Sequence, residues 1–248
     1  MGNWIWTLAA AWALGIGCNK PIDQDEYMAA MEMEFRHKVA GHTLELEKAT
    51  VTPFGEPVTF SNFQYYLSNF SLINAGGNIV SLPVSYFLVS EKDTASKTIG
   101  FNIPGGVYRG LRITIGVDSA RNVSGVQSGA LDPANGMFWS WNTGYIFAKL
   151  EGKSPLSTAP LQNVTYHIGG FKTGQNALQS VTLNFPIQIS VPAKAHVKIA
   201  LSANLDKWFE GVSPITIAKE PFCMEPGELA QRIAANYAQM FTIVSVTQ

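Results

Sequence analysis

The residues of this sequence best suited to metal chemistry are four histidines, His37, His42, His167 and His196. Neutral imidazole is the commonest protein ligand for copper and zinc. His37 lies in the alternating segment MEMEFRHKV, on the same side as the apolar residues, so we expect it to point into the interior. His167 lies in VTYHIGG, on the face opposite the apolar residues, whereas His42 and His196 are expected at the surface. A histidine that only makes structural hydrogen bonds is the alternative at each position.

A second chemically rich feature is the aromatic run LDPANGMFWSWNTGYIFAKLEG at residues 131–152. In an extended chain, Met137, Trp139 and Trp141 share one side. Buried tryptophan usually belongs to a core, and its indole N–H then needs an acceptor. The run therefore predicts either core packing or the wall of a site that uses the rings chemically.

The two cysteines, Cys18 and Cys223, have different expected roles. Residues 1–17 form an apolar stretch that is too short for a transmembrane helix and suits a signal peptide. The glycine before Cys18 is typical of a bacterial lipobox, so we expect cleavage before Cys18 and a lipid on its thiol. An n-region without Lys or Arg leaves an ordinary cleaved signal peptide or a short hydrophobic anchor open. Cys223 then has no disulfide partner within the mature chain, and is either a buried structural thiol or a single soft ligand.

Composition and motifs exclude several classes of function. The net charge of −1, without any basic block, argues against nucleic acid as a partner. Charged residues make up 14% of the chain, below the roughly 25% of typical soluble domains. The sequence contains neither the serine-hydrolase, the zinc-protease nor the phosphate-binding motif, so we expect no enzymatic turnover.

The elements that must position these residues are mostly strands. Runs rich in β-branched and aromatic residues alternate with Gly, Pro, Asn and Ser clusters. These runs lie at residues 31–39, 43–46, 64–73, 84–89, 98–103, 111–115, 144–150, 164–168, 181–189, 194–201 and 242–246. Helical spacing occurs through residues 228–240. The sequence predicts a mainly β fold, a single-domain antiparallel β-sandwich with one short C-terminal helix, at residues 31–248 after a signal peptide (1–17) and a lipidated tether (18–30).

Six segments of the chain occur in an order that is typical of one known family. They are FRH at 35–37, NFQYYLSNFSLI at 62–73, GVYRGLRITIGVD at 106–118, GMFWSWNTGYIFAKLEG at 136–152, YHIGG at 166–170 and IAANYAQMF at 233–241. Together they resemble the MbnP-like family of methanobactin-associated, periplasmic copper-binding proteins. The likeness spans nearly the whole mature chain, and the branch of cell-surface lipoproteins is the most similar.

This resemblance implies a β-sandwich that binds copper outside the cytoplasm through two histidines and kynurenine, the oxidation product of a tryptophan. Carried onto this sequence, the imidazole ligands are His37 and His167, and the modified residue is Trp139 or Trp141. The resemblance also implies copper as Cu(I) or Cu(II), held for handling or storage. A dihaem cytochrome c peroxidase-like (MbnH-like) partner is implied as the oxidant of the tryptophan. The implied location is the periplasm or cell surface, with the protein anchored to a membrane by lipid at Cys18.

One segment departs from the pattern of the lipoprotein branch that the chain resembles. A His-Ser-Met-like segment often precedes the terminal helix there, whereas this chain has Phe222, Cys223 and Met224. Sulfur ligands favour Cu(I), so Cys223 and Met224 are candidate metal contributors. Two other functions stay open. One is a metal-free surface module that binds glycan or protein through exposed aromatic rings, and the other is a structural lipoprotein that has lost the metal site.

Overall fold

Two facing β-sheets form the protein in a computed structural model that describes residues 27–125, 127–140 and 144–248. The strands are β1 (Met28–Val39), β2 (His42–Thr43), β3 (Ala49–Val51), β4 (Pro57–Asn74), β5 (Ile79–Ser81), β6 (Tyr86–Ser90), β7 (Thr98–Pro104), β8 (Gly106–Ile115), β9 (Phe138–Ser140), β10 (Gly144–Lys153), β11 (Asn163–Gly169), β12 (Gln179–Val191), β13 (His196–Asn204), β14 (Phe222–Cys223) and β15 (Phe241–Thr247). The α-helices are α1 (Ser119–Asn122), α2 (Asp206–Phe209) and α3 (Glu228–Tyr237). The predicted mainly β class is confirmed.

The long strand β4 organises the larger sheet. Among the described residues, this sheet has ten strands in the order β12-β8-β4-β10-β11-β14, with β3, β5 and β6 also paired to β4 and β9 paired to β10. The smaller sheet has the order β15-β13-β1-β2, with β7 also on β1. Ring contacts between the sheets, such as Tyr65 with Phe241 at 5.6 Å, show that β4 and β15 face each other across the core.

Two strand pairs differ from the predicted antiparallel arrangement. Strand β1 runs parallel to β13, and β11 runs parallel to β14. The partners in each parallel pair are far apart in sequence. Hydrophobic periodicity reports which face of a strand is buried, but it carries no information about the direction of a distant neighbour.

The first strand confirms the predicted alternation and extends it. Met31, Met33 and Phe35 are all buried, with polar residues between them facing solvent. The strand begins at Met28, inside the segment predicted as a tether, because both β13 and β7 pair with it there. Small alanines at positions 29 and 30 gave little periodic signal in the sequence. The predicted signal peptide, Cys18 and the tether up to residue 26 lie outside the described residues.

The C-terminal helix occupies the predicted position. Helix α3 buries Ile233, Ala234 and Tyr237 and ends at Tyr237, three residues before the predicted end. Helices α1 and α2 are single turns of four residues, too short to produce a periodic sequence signal. Within the described part of the chain, the helices all lack the length and apolar character needed to cross a membrane.

Candidate metal centre

The larger sheet lies between the two histidines that were predicted as ligands. Gln64 of β4, Lys149 of β10 and His167 of β11 are directly opposite one another, so their side chains share one face. Tyr65, the next residue along β4, points to the other face. His37 reaches that other face from β1, because its Nε2 lies 2.9 Å from the Tyr65 hydroxyl. The structure therefore does not bring His37 and His167 to a common point.

His37 has a partner at both ring nitrogens. Its Nδ1 lies 2.6 Å from a Glu91 carboxylate oxygen, and Phe63 packs edge-on against the ring. Burial lowers the pKa of His37, and the Glu91 carboxylate offsets this effect only in part. Burial raises the pKa of Glu91, but hydrogen bonds from His37 and Lys97 outweigh it and leave that pKa lowered. The neutral ring thus donates a hydrogen bond from Nδ1–H to Glu91 and accepts one from the Tyr65 hydroxyl at Nε2.

His167 has one nitrogen fixed and one without a partner. Its Nε2 lies 2.6 Å from a Glu151 carboxylate oxygen, and the amide of Asn62 donates to the other oxygen at 3.0 Å. The buried Nδ1 has no hydrogen-bond partner among the described residues. The hydrogen bond from His167 is the main cause that lowers the pKa of Glu151 to about 2, against the opposing effect of burial. In the neutral tautomer whose Nε2–H donates to the carboxylate, Nδ1 has a lone pair, as in metal-binding carboxylate–histidine pairs.

Trp139 lies on the same face of the sheet as His167. A Cβ added at Gly169 would be only 2.8 Å from Cζ3 of the Trp139 ring, so the ring packs on the glycine backbone. Gly169 is two residues after His167 and therefore points to the same face. The indole is partly buried, and its Nε1 is a buried donor that lacks a partner within the described residues. Trp141, the other predicted candidate for modification, lies outside the described residues.

Lys149 and Glu151 complete this face and were missed from the sequence. Lys149 is 8% exposed, and its Nζ donates to the Gly136 carbonyl in the turn that precedes β9. Burial lowers the pKa of Lys149, whereas the Glu151 charge acts in the opposite direction. The signal was present in FAKLEG, where two charged residues alternate within a strand that is otherwise apolar. We call His167, Glu151, Trp139 and Lys149 the His167 site.

The two sulfur residues differ in burial. Cys223 lies in β14, which pairs with β11, and is buried, whereas Met224 is exposed. Cys223 is opposite Tyr166 in the parallel β11–β14 pair, so it shares the core-facing side of that tyrosine. Burial raises the pKa of the Cys223 thiol to about 11, which keeps it protonated at neutral pH. Met224 follows directly after β14 and is 38% exposed. Of the two sulfur residues, Met224 is therefore the one whose side chain is accessible.

The remaining histidines lie at the surface, as predicted. His42 and His196 are both exposed, in β2 and at the start of β13. Over the described ranges, His, Cys, Asp and Glu side chains do not form any group of three or more that could hold a metal ion. A metal at the His167 site would therefore need donors outside these residue types, such as a thioether or a modified indole.

The fold and the site define a β-sandwich protein in which a histidine held by a carboxylate lies next to a strand rich in aromatic residues. The MbnP family model matches residues 28–225, so the chain belongs to the MbnP family. Among solved structures, MbnP from Methylosinus trichosporium matches with a TM-score of 0.56 and 15% identity, over 76% of this chain and 79% of that chain. This likeness shows a shared fold. The search of curated proteins found no significant match. Family membership suggests a copper-related role associated with methanobactin, and it is consistent with a location outside the cytoplasm.

Proposed function

We propose that this protein binds copper at the His167 site and holds the ion for handling or storage, without turnover of its own. The observation that carries the proposal is the buried Nδ1 of His167, which has no hydrogen-bond partner among the described residues and whose other ring nitrogen is fixed by Glu151. Unpartnered buried polar atoms are uncommon and need an explanation. A ring already held by a carboxylate needs no reorientation to bind a metal, and the carboxylate increases its basicity.

Trp139 supports the proposal because it lies on the same face of the sheet as His167, although its unmodified indole is not a metal ligand. An indole N–H is a donor only, so it offers no lone pair to a metal. Oxidation to kynurenine would replace the indole ring by an aromatic amine and a ketone, which supplies the missing nitrogen ligand. Such an amine would appear at the buried Nε1 of Trp139, which has no partner in the part of the chain that the structure describes. We propose Trp139 as the modified residue, with a dihaem cytochrome c peroxidase-like partner as oxidant and Trp141 as the alternative.

The proposal assigns His37 to the core instead of the copper site. Both of its ring nitrogens are engaged, and the larger sheet lies between it and His167. Met224 is the proposed soft neighbour, because a thioether suits Cu(I) and its side chain is partly exposed next to β11. Cys223 is excluded from the ligand set by its core-facing side chain and its raised thiol pKa.

The location proposed is the periplasm or cell surface, through a lipid on Cys18. This part of the proposal rests on the sequence alone. A Cys18→Ser variant should leave the membrane fraction of the native host if the thiol is lipidated. Retention of the variant in that fraction would refute the anchor without affecting the copper proposal.

Competition titrations with Cu(I) and Cu(II) test copper binding. We expect one site tighter than about 1 μM in the protein isolated from its native host, lost in His167→Ala and retained in the control His196→Ala, whose imidazole is exposed. Absence of such a site in the native protein would overturn the proposal and favour a structural lipoprotein. Equal affinity in His167→Ala would also overturn it.

Peptide mass mapping of the same native protein tests the modification. Conversion of tryptophan to kynurenine adds one oxygen atom and removes one carbon atom from the residue. We expect this change at Trp139 and its loss in Trp139→Phe. The change at Trp141 instead would move the assignment to that residue. Two unmodified tryptophans, together with binding of a glycan or protein, would favour the metal-free surface module.

A further inference from the structure

Lys149 is a buried cation on the face of the sheet that carries the His167 site. Its backbone is directly opposite His167 in the β10–β11 pair, where facing Cα atoms are roughly 4.5–5.5 Å apart. Its ammonium group is fixed by donation to the Gly136 carbonyl. We infer that Lys149 makes the His167 site selective for Cu(I) over Cu(II), an inference that rests on the proposed copper function.

The charges around the site explain this selectivity. Glu151 is the carboxylate that holds His167, and its negative charge interacts with Lys149 as well as with the imidazole. The Lys149 ammonium therefore balances the charge of Glu151. The donors that the proposed function assigns to the site, the imidazole of His167 and the thioether of Met224, are neutral. An aromatic amine formed at Trp139 would be neutral as well.

A neutral donor set, next to a Glu151 carboxylate whose charge Lys149 balances, penalises the ion of higher charge. Replacing Cu(I) by Cu(II) adds one positive charge to a partly buried site whose Glu151 carboxylate is already compensated by Lys149. At the effective dielectric of a protein surface, repulsion between two like charges several ångströms apart amounts to a factor of about ten or more in binding. Removal of the Lys149 charge should relieve the repulsion with Cu(II) more than that with Cu(I).

The test compares the affinities of the native-host protein for the two ions. Lys149→Met removes the charge and keeps the aliphatic length, while Lys149→Gln also keeps a donor for the Gly136 carbonyl. Lys149→Arg retains the charge and should therefore retain the wild-type preference for Cu(I) over Cu(II). Lys153→Met, on the same strand but exposed, is the matched control. Competition titrations give both dissociation constants, and a redox titration followed by electron paramagnetic resonance gives the potential.

We expect Lys149→Met and Lys149→Gln to strengthen Cu(II) binding relative to Cu(I) by about tenfold or more, a decrease of about 59 mV in potential per tenfold change. Lys153→Met should leave the ratio within threefold. An unchanged ratio in both neutral variants, or a parallel loss of affinity for both ions, would overturn the inference while leaving copper binding intact. Failure of the wild-type protein to bind copper would instead overturn the proposed function, and the inference with it.

Discussion

The buried histidines His37 and His167 have the same kind of partner but a different freedom to react. Each ring has one nitrogen 2.6 Å from a glutamate oxygen, Glu91 or Glu151. The second nitrogen of His37 meets the Tyr65 hydroxyl, whereas that of His167 has no partner among the described residues. The two histidines thus resemble each other in residue type and in their position within a strand. The neighbour of the second ring nitrogen decides which of the two rings can bind a metal.

The Glu151 carboxylate should make the stability of the metal-free protein depend on acid pH. Its pKa falls from an ordinary 4.5 to about 2 in the folded state, chiefly through the His167 hydrogen bond. A lowered folded-state pKa contributes stability that is complete above about pH 4.5 and is lost as the pH falls towards 2. Because the carboxylate is partly exposed, we expect a loss of about 1–2 kcal/mol rather than the full value of the shift.

Urea unfolding of the wild type and of Glu151→Gln, at pH 7 and pH 3, measures this contribution. The variant should lose less stability on acidification than the wild type does. Glu45→Gln is the control, because Glu45 is exposed and its ion pair is with the exposed Lys48. The same loss on acidification in Glu151→Gln and in the wild type would contradict the prediction.

The buried ring of His37 should titrate below its ordinary pKa of 6.5. Burial disfavours the charged form, and Glu91 compensates only in part. In the unfolded chain the ring protonates first as the pH falls, so the free energy of unfolding should decrease from about pH 6.5 downward. A proton NMR titration, with the His37 signal assigned from a His37→Gln variant, gives the midpoint. A midpoint at or above 6.5 would be incompatible with the buried neutral ring.

At the level of elements, strand β10 positions the aromatic strand β9 relative to β11, because it pairs with both. Strand β9 pairs with the start of β10, and Lys149 holds the preceding turn through the Gly136 carbonyl. The Trp139 ring then crosses β10 and packs on Gly169. The YHIGG segment therefore combines a donor, His167, with a glycine that gives the indole space, which is why both occur within one short motif.

Gly169→Ala should displace the Trp139 ring from the His167 site. The new methyl carbon would lie 2.8 Å from the ring and 2.5 Å from the Tyr145 carbonyl oxygen, closer than ordinary contact allows. We expect a stability loss of about 1–3 kcal/mol from overpacking, together with a change in tryptophan fluorescence and weaker copper binding. Gly100→Ala is the matched control, because the nearest atom to its added Cβ is 4.0 Å away. Similar behaviour of the two variants would show that Gly169 does not position the ring.

At the scale of the whole molecule, the larger sheet separates the two histidines that the family resemblance implied as ligands of one metal. His37 contacts Phe63 and Tyr65 between the sheets, while His167 lies on the outer face with Lys149 and Glu151. The outer face carries the proposed copper site. The inner face contributes packing and a buried hydrogen-bond network.

Substitution of the two histidines should therefore have different effects. His37→Gln should lower the free energy of unfolding by about 1–3 kcal/mol, because it leaves buried partners poorly satisfied, but it should retain tight copper binding. His167→Ala should abolish copper binding with a smaller effect on folding. Copper competition and urea unfolding on both variants give the comparison. Loss of copper binding in a folded His37→Gln protein would show that His37 belongs to the copper site. It would refute the assignment of His37 and His167 to separate environments.

The sequence by itself determined the elements whose signal is local. The alternation around Met33 and Phe35 predicted a half-buried strand and an inward His37, and the spacing in residues 228–240 predicted helix α3. Both patterns arise from the fixed geometry of one strand or one helix. The segments quoted above also indicated the family to which the chain belongs.

Only the tertiary structure decided which side of the larger sheet each candidate residue occupies. The sequence showed that His37 and His167 each point to a particular face of their own strand, but not how those strands are placed in the molecule. Pairing between distant segments, such as the parallel β1–β13 pair, depends on the global packing of the chain. The same long-range pairing set Lys149 opposite His167 and Cys223 beside Tyr166. Local periodicity cannot encode such contacts, since they are fixed by the packing of the two sheets as a whole.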